Sequence, residues 1–139
     1  MKTGDQRLSY SVAAERIDAH GSLAYCKSAR ITLDTDPKGR ADAFNPAELL
    51  LAALAACMIK NIERVAPILR FQFSGVSVQL TGHRRDRPPA MERIEYVLRV
   101  ATDESDHRLE LLHRNLKQYG TVYNTLAQGC ELSGTIGRS

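Results

Sequence analysis

Polar and apolar residues alternate at the start of the chain. Residues 8–13 (LSYSVA) and 29–34 (ARITLD) follow a period of two, and His20-Gly21-Ser22 marks a turn between them. Both segments are predicted to be short strands. Residues 34–43 carry Pro37, Gly39 and several charges, which predicts an exposed loop. The period then changes to that of a helix. Asn45 suits the N-cap and Pro46 the first helical position, where a missing N–H costs nothing. Glu48 falls in the first turn, beside the positive helix end. Leu, Ala and Met then continue until Pro67, which is expected to end the helix after roughly twenty residues, or about 30 Å.

Residues 49–59 (LLAALAACMI with the preceding Leu) show no polar face, so this part of the helix must be covered on every side. One chain of 139 residues has little material to surround a central helix. A curved sheet and a partner subunit are both expected to contribute. Beyond Pro67 the period returns to two. Phe71 and Phe73 share one parity and Val76, Val78 and Leu80 the other, with a bulge expected at Ser74-Gly75. A loop over residues 83–89 (HRRDRPP) leads to a strand in which Ile94, Tyr96, Leu98 and Val100 form the buried face. Ser105 or Asp103 can cap a following helix that carries Leu109, Leu112 and Leu116 on one face. A shorter helix over 121–128 ends at Gly129. Cys130, Leu132 and Ile136 alternate with polar residues in a last strand. The order is strands, long helix, two strands, two helices, strand: an α+β fold, expected to be one domain over residues 1–139.

Composition narrows the function classes. Hydrophobic residues are 43% and charged residues 25% of the chain, the balance of a globular core with a solvated shell rather than a disordered or fibrous chain. A net charge of +3 is too mild to point to nucleic acid or to an anionic membrane. The longest apolar run is about half of a membrane span, and residues 1–10 lack a signal-peptide pattern. Three cysteines are too few for a disulfide scaffold. The chain reads as a cytoplasmic protein with reduced thiols, with no membrane and no nucleic-acid partner.

Few residues are candidates for chemistry. Metal-ligand spacing, a glycine-rich phosphate loop and a nucleophile elbow are all missing, so neither a metal nor a cofactor is expected. The four histidines read as solvated surface residues. Arg84, Arg85 and Arg87 read as a solvated hairpin tip, since no aromatic platform accompanies them. Cys57, in Ala-Ala-Cys-Met, reads on its own as a small apolar residue of a buried helix. It lies twelve residues past Asn45, roughly 18 Å from the helix N-terminus, beyond the reach of the helix dipole. A reactive thiolate there needs a positive group from another segment, most simply an arginine.

The run Asn45-Pro-Ala-Glu-Leu-Leu-Leu-Ala-Ala-Leu-Ala-Ala-Cys57-Met resembles the central-helix signature of the OsmC/Ohr family of thiol peroxidases, and the order of elements on both sides fits as well. The resemblance implies a curved antiparallel sheet wrapped around long central helices in an intertwined homodimer. It also implies active sites at the dimer interface, where a peroxidatic cysteine reduces organic hydroperoxides. Cys57 occupies that cysteine's place. Family members lower the thiolate pKa with an arginine from the N-terminal strands, held by a glutamate at the start of the long helix. Here Arg16 lies nearest that arginine's position, with Arg30 and Arg40 as fallbacks, and Glu48 is the nearest glutamate.

The chain departs from the family pattern at two further points. Gly120, in Gly-Thr-Val-Tyr-Asn-Thr-Leu, stands where a second, resolving cysteine usually sits. The position directly after Asn-Pro is Ala47, with Glu48 one residue later. Nine residues before Cys57 corresponds to about 900° of helical rotation, the opposite face, so Glu48 also reads as a first-turn stabiliser. Cys26 and Cys130 read as core residues rather than substitutes for the missing thiol. The expected activity is reduction of organic hydroperoxides by a single cysteine, Cys57, resolved by an external thiol. The alternative is a dimeric relative without catalysis that binds a small apolar ligand at the interface.

Overall fold

A computed structural model describes residues 7–139; residues 1–6, part of the polar opening read above as lacking a signal peptide, lie outside the described residues. The chain divides into two compact units, one ending at Glu48 and the other beginning at Leu49.

In the first unit three strands form an antiparallel sheet in the order β1-β2-β3: β1 (Ala13–Asp18), β2 (Gly21–Cys26) and β3 (Ala29–Leu33). The alternation over 8–13 predicted a strand there, but β1 begins only at Ala13. Pairing decides this. Ala13 sits opposite Tyr25 and β2 ends one residue later, so residues 8–12 have no ladder to join within the unit. Leu8, Tyr10 and Val12 are consequently exposed. The turn falls at residues 19–20, and Gly21 and Ser22, expected in the turn, open β2 instead. A Cβ at Gly21 would come within 2.4 Å of the tip of the Arg40 guanidinium, a flexible end that would have to move aside.

The loop after β3 is organised by its first residue. Asp34 is buried and accepts hydrogen bonds from the backbone N–H groups of Asp36 and Arg40, at 3.1 Å each, the turn-forming habit of a short acidic side chain.

Helix α1 (Pro46–Leu69) starts as its caps predict but runs through Pro67. The proline forfeits one hydrogen bond within the last turns, and the chain then closes two residues later. Arg70 adopts a left-handed conformation (φ 53°). Phe71 N–H donates to the Ala66 carbonyl at 2.8 Å and Arg70 N–H to that of Pro67 at 3.3 Å, the paired bonds of a Schellman ending. The last turn of α1 carries no basic residue. Arg108 supplies that charge from another element, donating to the Leu69 and Arg70 carbonyls at 2.7 and 3.2 Å.

The second sheet runs β4-β5-β6: β4 (Gly75–Asp86), β5 (Pro89–Ala101) and β6 (Glu131–Arg138). β4 and β5 are antiparallel, whereas β6 joins β5 in parallel, so the sheet is mixed. The expected loop over 83–89 shrinks to a two-residue turn, because strand pairing continues to Asp86 opposite Pro89. Nor does a bulge form at Ser74-Gly75. Gly75 is already in register with Ala101, and the irregularity lies instead where His83 faces Arg93 and Arg84 faces Met91, leaving Glu92 as the extra residue.

Ser105 caps α2 (Asp106–Tyr119), its hydroxyl accepting from Arg108 N–H. α3 (Thr121–Ala127) follows after one residue. Leu54, Met58, Ile62 and Val65 of α1, the predicted alternating face of β5, and Leu109, Leu112 and Leu116 of α2 are buried in one cluster. His113 joins them. It was expected on the surface, yet it is buried with its Nε2 2.7 Å from the Tyr96 hydroxyl. Position 113 continues the 109/116 face at helical spacing, and the hydrogen bond makes the burial affordable. Gly134 of β6 lies under Tyr96, since a Cβ there would fall 2.4 Å from the ring.

Two outcomes follow from this packing. Burial, reinforced by Lys117 and opposed by Glu110, holds the His113 imidazole below its ordinary pKa. The neutral ring's contribution is therefore present above pH about 6.5 and is lost as pH falls from there toward the lowered folded-state value. In urea titrations the unfolding midpoint should drop between pH 7 and pH 5, and drop less in His113→Gln. Replacing left-handed Arg70 by glycine should raise stability by about 0.5–1 kcal/mol; an unchanged or lower midpoint would show that Arg70 is not strained.

Candidate functional site

Cys57 lies at the start of the fourth turn of α1 and is half-buried. Its sulfur faces the junction between α2 and α3. Gly120 ends α2 and serves as the N-cap of α3, without a capping side chain. A Cβ built on Gly120 would stand 3.1 Å from Cys57 Sγ, 3.0 Å from the Leu116 carbonyl oxygen and 3.1 Å from Tyr123 Cβ. A side chain at 120 would be tighter than ordinary contact on all three sides, and its neighbours would have to give by a few tenths of an ångström. The position that the family resemblance marked as lacking its usual cysteine is thus directly beside Cys57.

One turn along the same face of α1, Asn61 is buried and donates from Nδ2 to the Asn115 carbonyl at 3.2 Å. Its amide oxygen accepts from Arg64. Asn61 therefore pins α1 to α2 next to the thiol. The sequence reading passed over it, although a polar residue four positions after Cys57 on an apolar face was the available signal. Tyr123 was passed over too. Its ring is buried and meets Tyr96 edge-on at 6.4 Å, which ties the junction to the Tyr96–His113 pair. Burial, with a smaller effect from Tyr123, pushes the Tyr96 hydroxyl's pKa up, so it stays protonated and able to donate.

The other cysteines are placed differently. Cys130 Sγ donates to the Leu126 carbonyl at 3.3 Å, and burial pushes its thiol up, away from thiolate formation. Cys26 ends β2 in the first unit. All three cysteines are free. Among the described residues no three His, Cys, Asp or Glu side chains gather where a metal ion could be held, and no helix is long and apolar enough to cross a membrane.

Glu48 closes a reciprocal capping box. Asn45 Oδ1 accepts from Glu48 N–H at 2.8 Å, and Glu48 Oε1 accepts from Asn45 N–H at 2.9 Å. Of the three N-terminal arginines, Arg40 is forked onto Asp42 at 2.6 and 2.8 Å. Arg30 lies 5.8 Å over the Tyr25 ring. Arg16 sits on exposed β1 opposite Ser22 and makes no ion pair among the described residues.

A family model described as OsmC-like protein matches residues 39–133. A Mycoplasma pneumoniae (strain ATCC 29342 / M129 / Subtype 1) protein named hydroperoxide reductase is 30% identical over 79 residues, 57% of this chain and 56% of that protein. The match thus spans about half the length of that relative. Among solved structures, an OsmC-like protein from Mycoplasma pneumoniae superposes with a TM-score of 0.87 at 22% identity, covering 96% of this chain and 99% of the other. An organic hydroperoxide resistance protein, OsmC, from Legionella pneumophila gives 0.71 at 18% identity, covering 94% and 99%. These structural likenesses establish the shared fold.

The capping box yields a thermodynamic test. Asn45→Ala and Glu48→Ala should each lower stability by about 0.5–2 kcal/mol. Each change removes one of the two bonds, and the double variant should lose less than the two together, because both bonds fix the same first turn and losing one loosens the geometry that the other needs. Strict additivity in denaturant titrations would mean that the two side chains act separately.

Proposed function

For this chain, which belongs to the OsmC-like protein family, we propose thiol-dependent reduction of organic hydroperoxides at Cys57. The observation that carries the reading is the placement of the half-buried Cys57 sulfur against the α2–α3 junction at Gly120, on the helix that bears the family signature. The name of the Mycoplasma relative, hydroperoxide reductase, supports it.

In this reaction the Cys57 thiolate attacks the distal oxygen of the hydroperoxide. The O–O bond breaks, the alkoxide leaves and is protonated to the alcohol, and the sulfur is left as a sulfenic acid. An external thiol then condenses with it, releasing water and leaving a mixed disulfide that a further thiol reduces. A thiolate needs positive charge nearby. Arg40 is held by Asp42 and Arg30 lies over Tyr25, so Arg16 is the arginine we assign to that task. Glu48 is assigned to the helix cap, where both its backbone N–H and its carboxylate are engaged.

The working form is proposed to be a homodimer in a reducing, cytoplasmic environment. Ala53, Ala56 and Ile59 of α1 stay exposed in the single chain, as do Leu8, Tyr10 and Val12. A second copy would cover such surfaces and complete the enclosure that an all-apolar helix segment demands. A second reading, a dimer that binds a small apolar ligand without catalysis, is favoured by glycine at 120 and by the engagement of Glu48.

Alkylation of Cys57 separates the two readings, with Cys26→Ser and Cys130→Ser isolating the signal. The peroxidase reading expects Cys57 to alkylate quickly near neutral pH. It also expects Cys57→Ser to abolish consumption of an organic hydroperoxide. Slow labelling until well above pH 8.5, with consumption unchanged in Cys57→Ser, would leave the binding reading.

A further inference from the structure

We propose that Tyr96 and His113 form a buried one-electron donor, which gives the chain a second activity, the quenching of oxygen-centred radicals, independent of Cys57. A phenol resists one-electron oxidation while it keeps its proton, because the product would be a strongly acidic radical cation. A base at hydrogen-bond distance removes that obstacle by taking the proton as the electron leaves. The Tyr96 hydroxyl and His113 Nε2 are 2.7 Å apart. A buried O–H needs an acceptor, and a neutral imidazole with its proton on Nδ1 supplies one at Nε2. Burial holds this imidazole neutral near pH 7 and keeps the phenol protonated, so electron loss is coupled to proton transfer within the pair.

The other oxidisable rings are less suited. The chain has no tryptophan and five tyrosines. Tyr10 and Tyr119 are exposed, where a phenoxyl radical meets solutes and other chains. Tyr25 donates to the Glu15 carboxylate at 2.6 Å, a weaker base than imidazole. The Arg30 guanidinium 5.8 Å over its ring also opposes loss of an electron. Tyr123 meets Tyr96 edge-on at 6.4 Å and is 8% exposed, against 2% for Tyr96. It therefore stands between Tyr96 and solvent as a relay for the electron. The Tyr96 ring is walled in further by Gly134 of β6 beneath it and by His113 edge-on at 5.7 Å. A radical at Tyr96 is thus shielded from recombination.

The oxidant is an oxygen-centred radical, such as the alkoxyl radical left when an organic hydroperoxide is cleaved by one electron. Tyr96 gives up one electron, and its phenolic proton passes to His113 Nε2. The alkoxyl radical gains that electron, takes a proton from water and leaves as the alcohol. Tyr96 is then a neutral phenoxyl radical beside an imidazolium. A one-electron reductant such as ascorbate returns the electron, and His113 returns the proton.

The test uses the full chain with its three cysteines replaced by serine, so that no thiol competes. It is oxidised by flash-generated ruthenium(III) tris-bipyridine and, separately, by tert-butoxyl radicals made from tert-butyl hydroperoxide and ferrous iron. The phenoxyl radical is followed by its absorption and by electron paramagnetic resonance. It should outlive the radical of N-acetyltyrosinamide by at least about tenfold, because its site excludes side reactions. Tyr96→Phe should abolish this long-lived signal and Tyr25→Phe should leave it. His113→Gln keeps a hydrogen-bond acceptor but loses the base, and should slow radical formation at least about tenfold.

The proposal is overturned if Tyr96→Phe, with its fold verified by circular dichroism, still gives the long-lived radical. An unchanged rate in folded His113→Gln, or no phenoxyl radical at all, also overturns it. Oxidation by ruthenium(III) but not by tert-butoxyl overturns the assignment to oxygen-centred radicals. Should either variant not fold, the Tyr25→Phe protein decides. An exchangeable-proton coupling from histidine in its radical spectrum upholds the pair, and absence of that coupling refutes it. Since Cys57 is replaced throughout, failure of the peroxidase reading leaves this test untouched.

Discussion

A helix whose first three turns carry only apolar side chains after the cap has to be enclosed, and the second unit is arranged around that demand. Leu54, Met58 and Ile62 of α1 are buried with Ile94, Leu98 and Val100 of β5 and Leu112 of α2. Fully burying each such side chain contributes about 1.5–3 kcal/mol, against about 1 kcal/mol for a typical hydrogen bond. The apolar cluster therefore sets the arrangement, and the polar contacts refine it. Both ends of the helix are closed by other groups: the Asn45–Glu48 box at the start, and the Arg70 turn with the Arg108 guanidinium at the finish.

The polar groups taken into the core are paired. His113 and Tyr96 hold each other across α2 and β5, and Asn61 ties α1 to α2. Such pairs add specificity rather than bulk stability, because a shifted helix would leave a buried nitrogen or oxygen unsatisfied. Asn61 and Gly120 together determine what Cys57 meets. One fixes the helix spacing beside the thiol, and the other lets the α2–α3 junction come within contact of the sulfur.

Much of this was legible in the residues. The Asn45 cap, the Ser105 cap, the buried parity of β5 and the Leu109/Leu112/Leu116 face are local patterns, and each was realised. Cys57 and Gly120 were both singled out by the resemblance, and Glu48 was placed on the opposite face from Cys57 by helical arithmetic alone. Other features depended on partners far away in sequence. The alternation of Leu8, Tyr10 and Val12 has the period of a strand, but β2 is too short to pair with it. The charged run at 83–86 looks like a loop, yet β5 extends far enough to keep it in register.

The sequence by itself determined the types of element, their caps, the apolar faces and the family signature, because these rest on periodicity and on neighbours within one or two turns. Tertiary structure alone decided where the strands stop, that His113 is buried rather than solvated, and that Asn61 and Tyr123 stand by the thiol. It also decided that position 120 lies beside the sulfur of Cys57, sixty-three residues earlier in the chain. A local pattern specifies which face of an element is apolar. What packs on that face, and how closely, is settled only when distant segments compete to bury the same surface and satisfy the same hydrogen bonds.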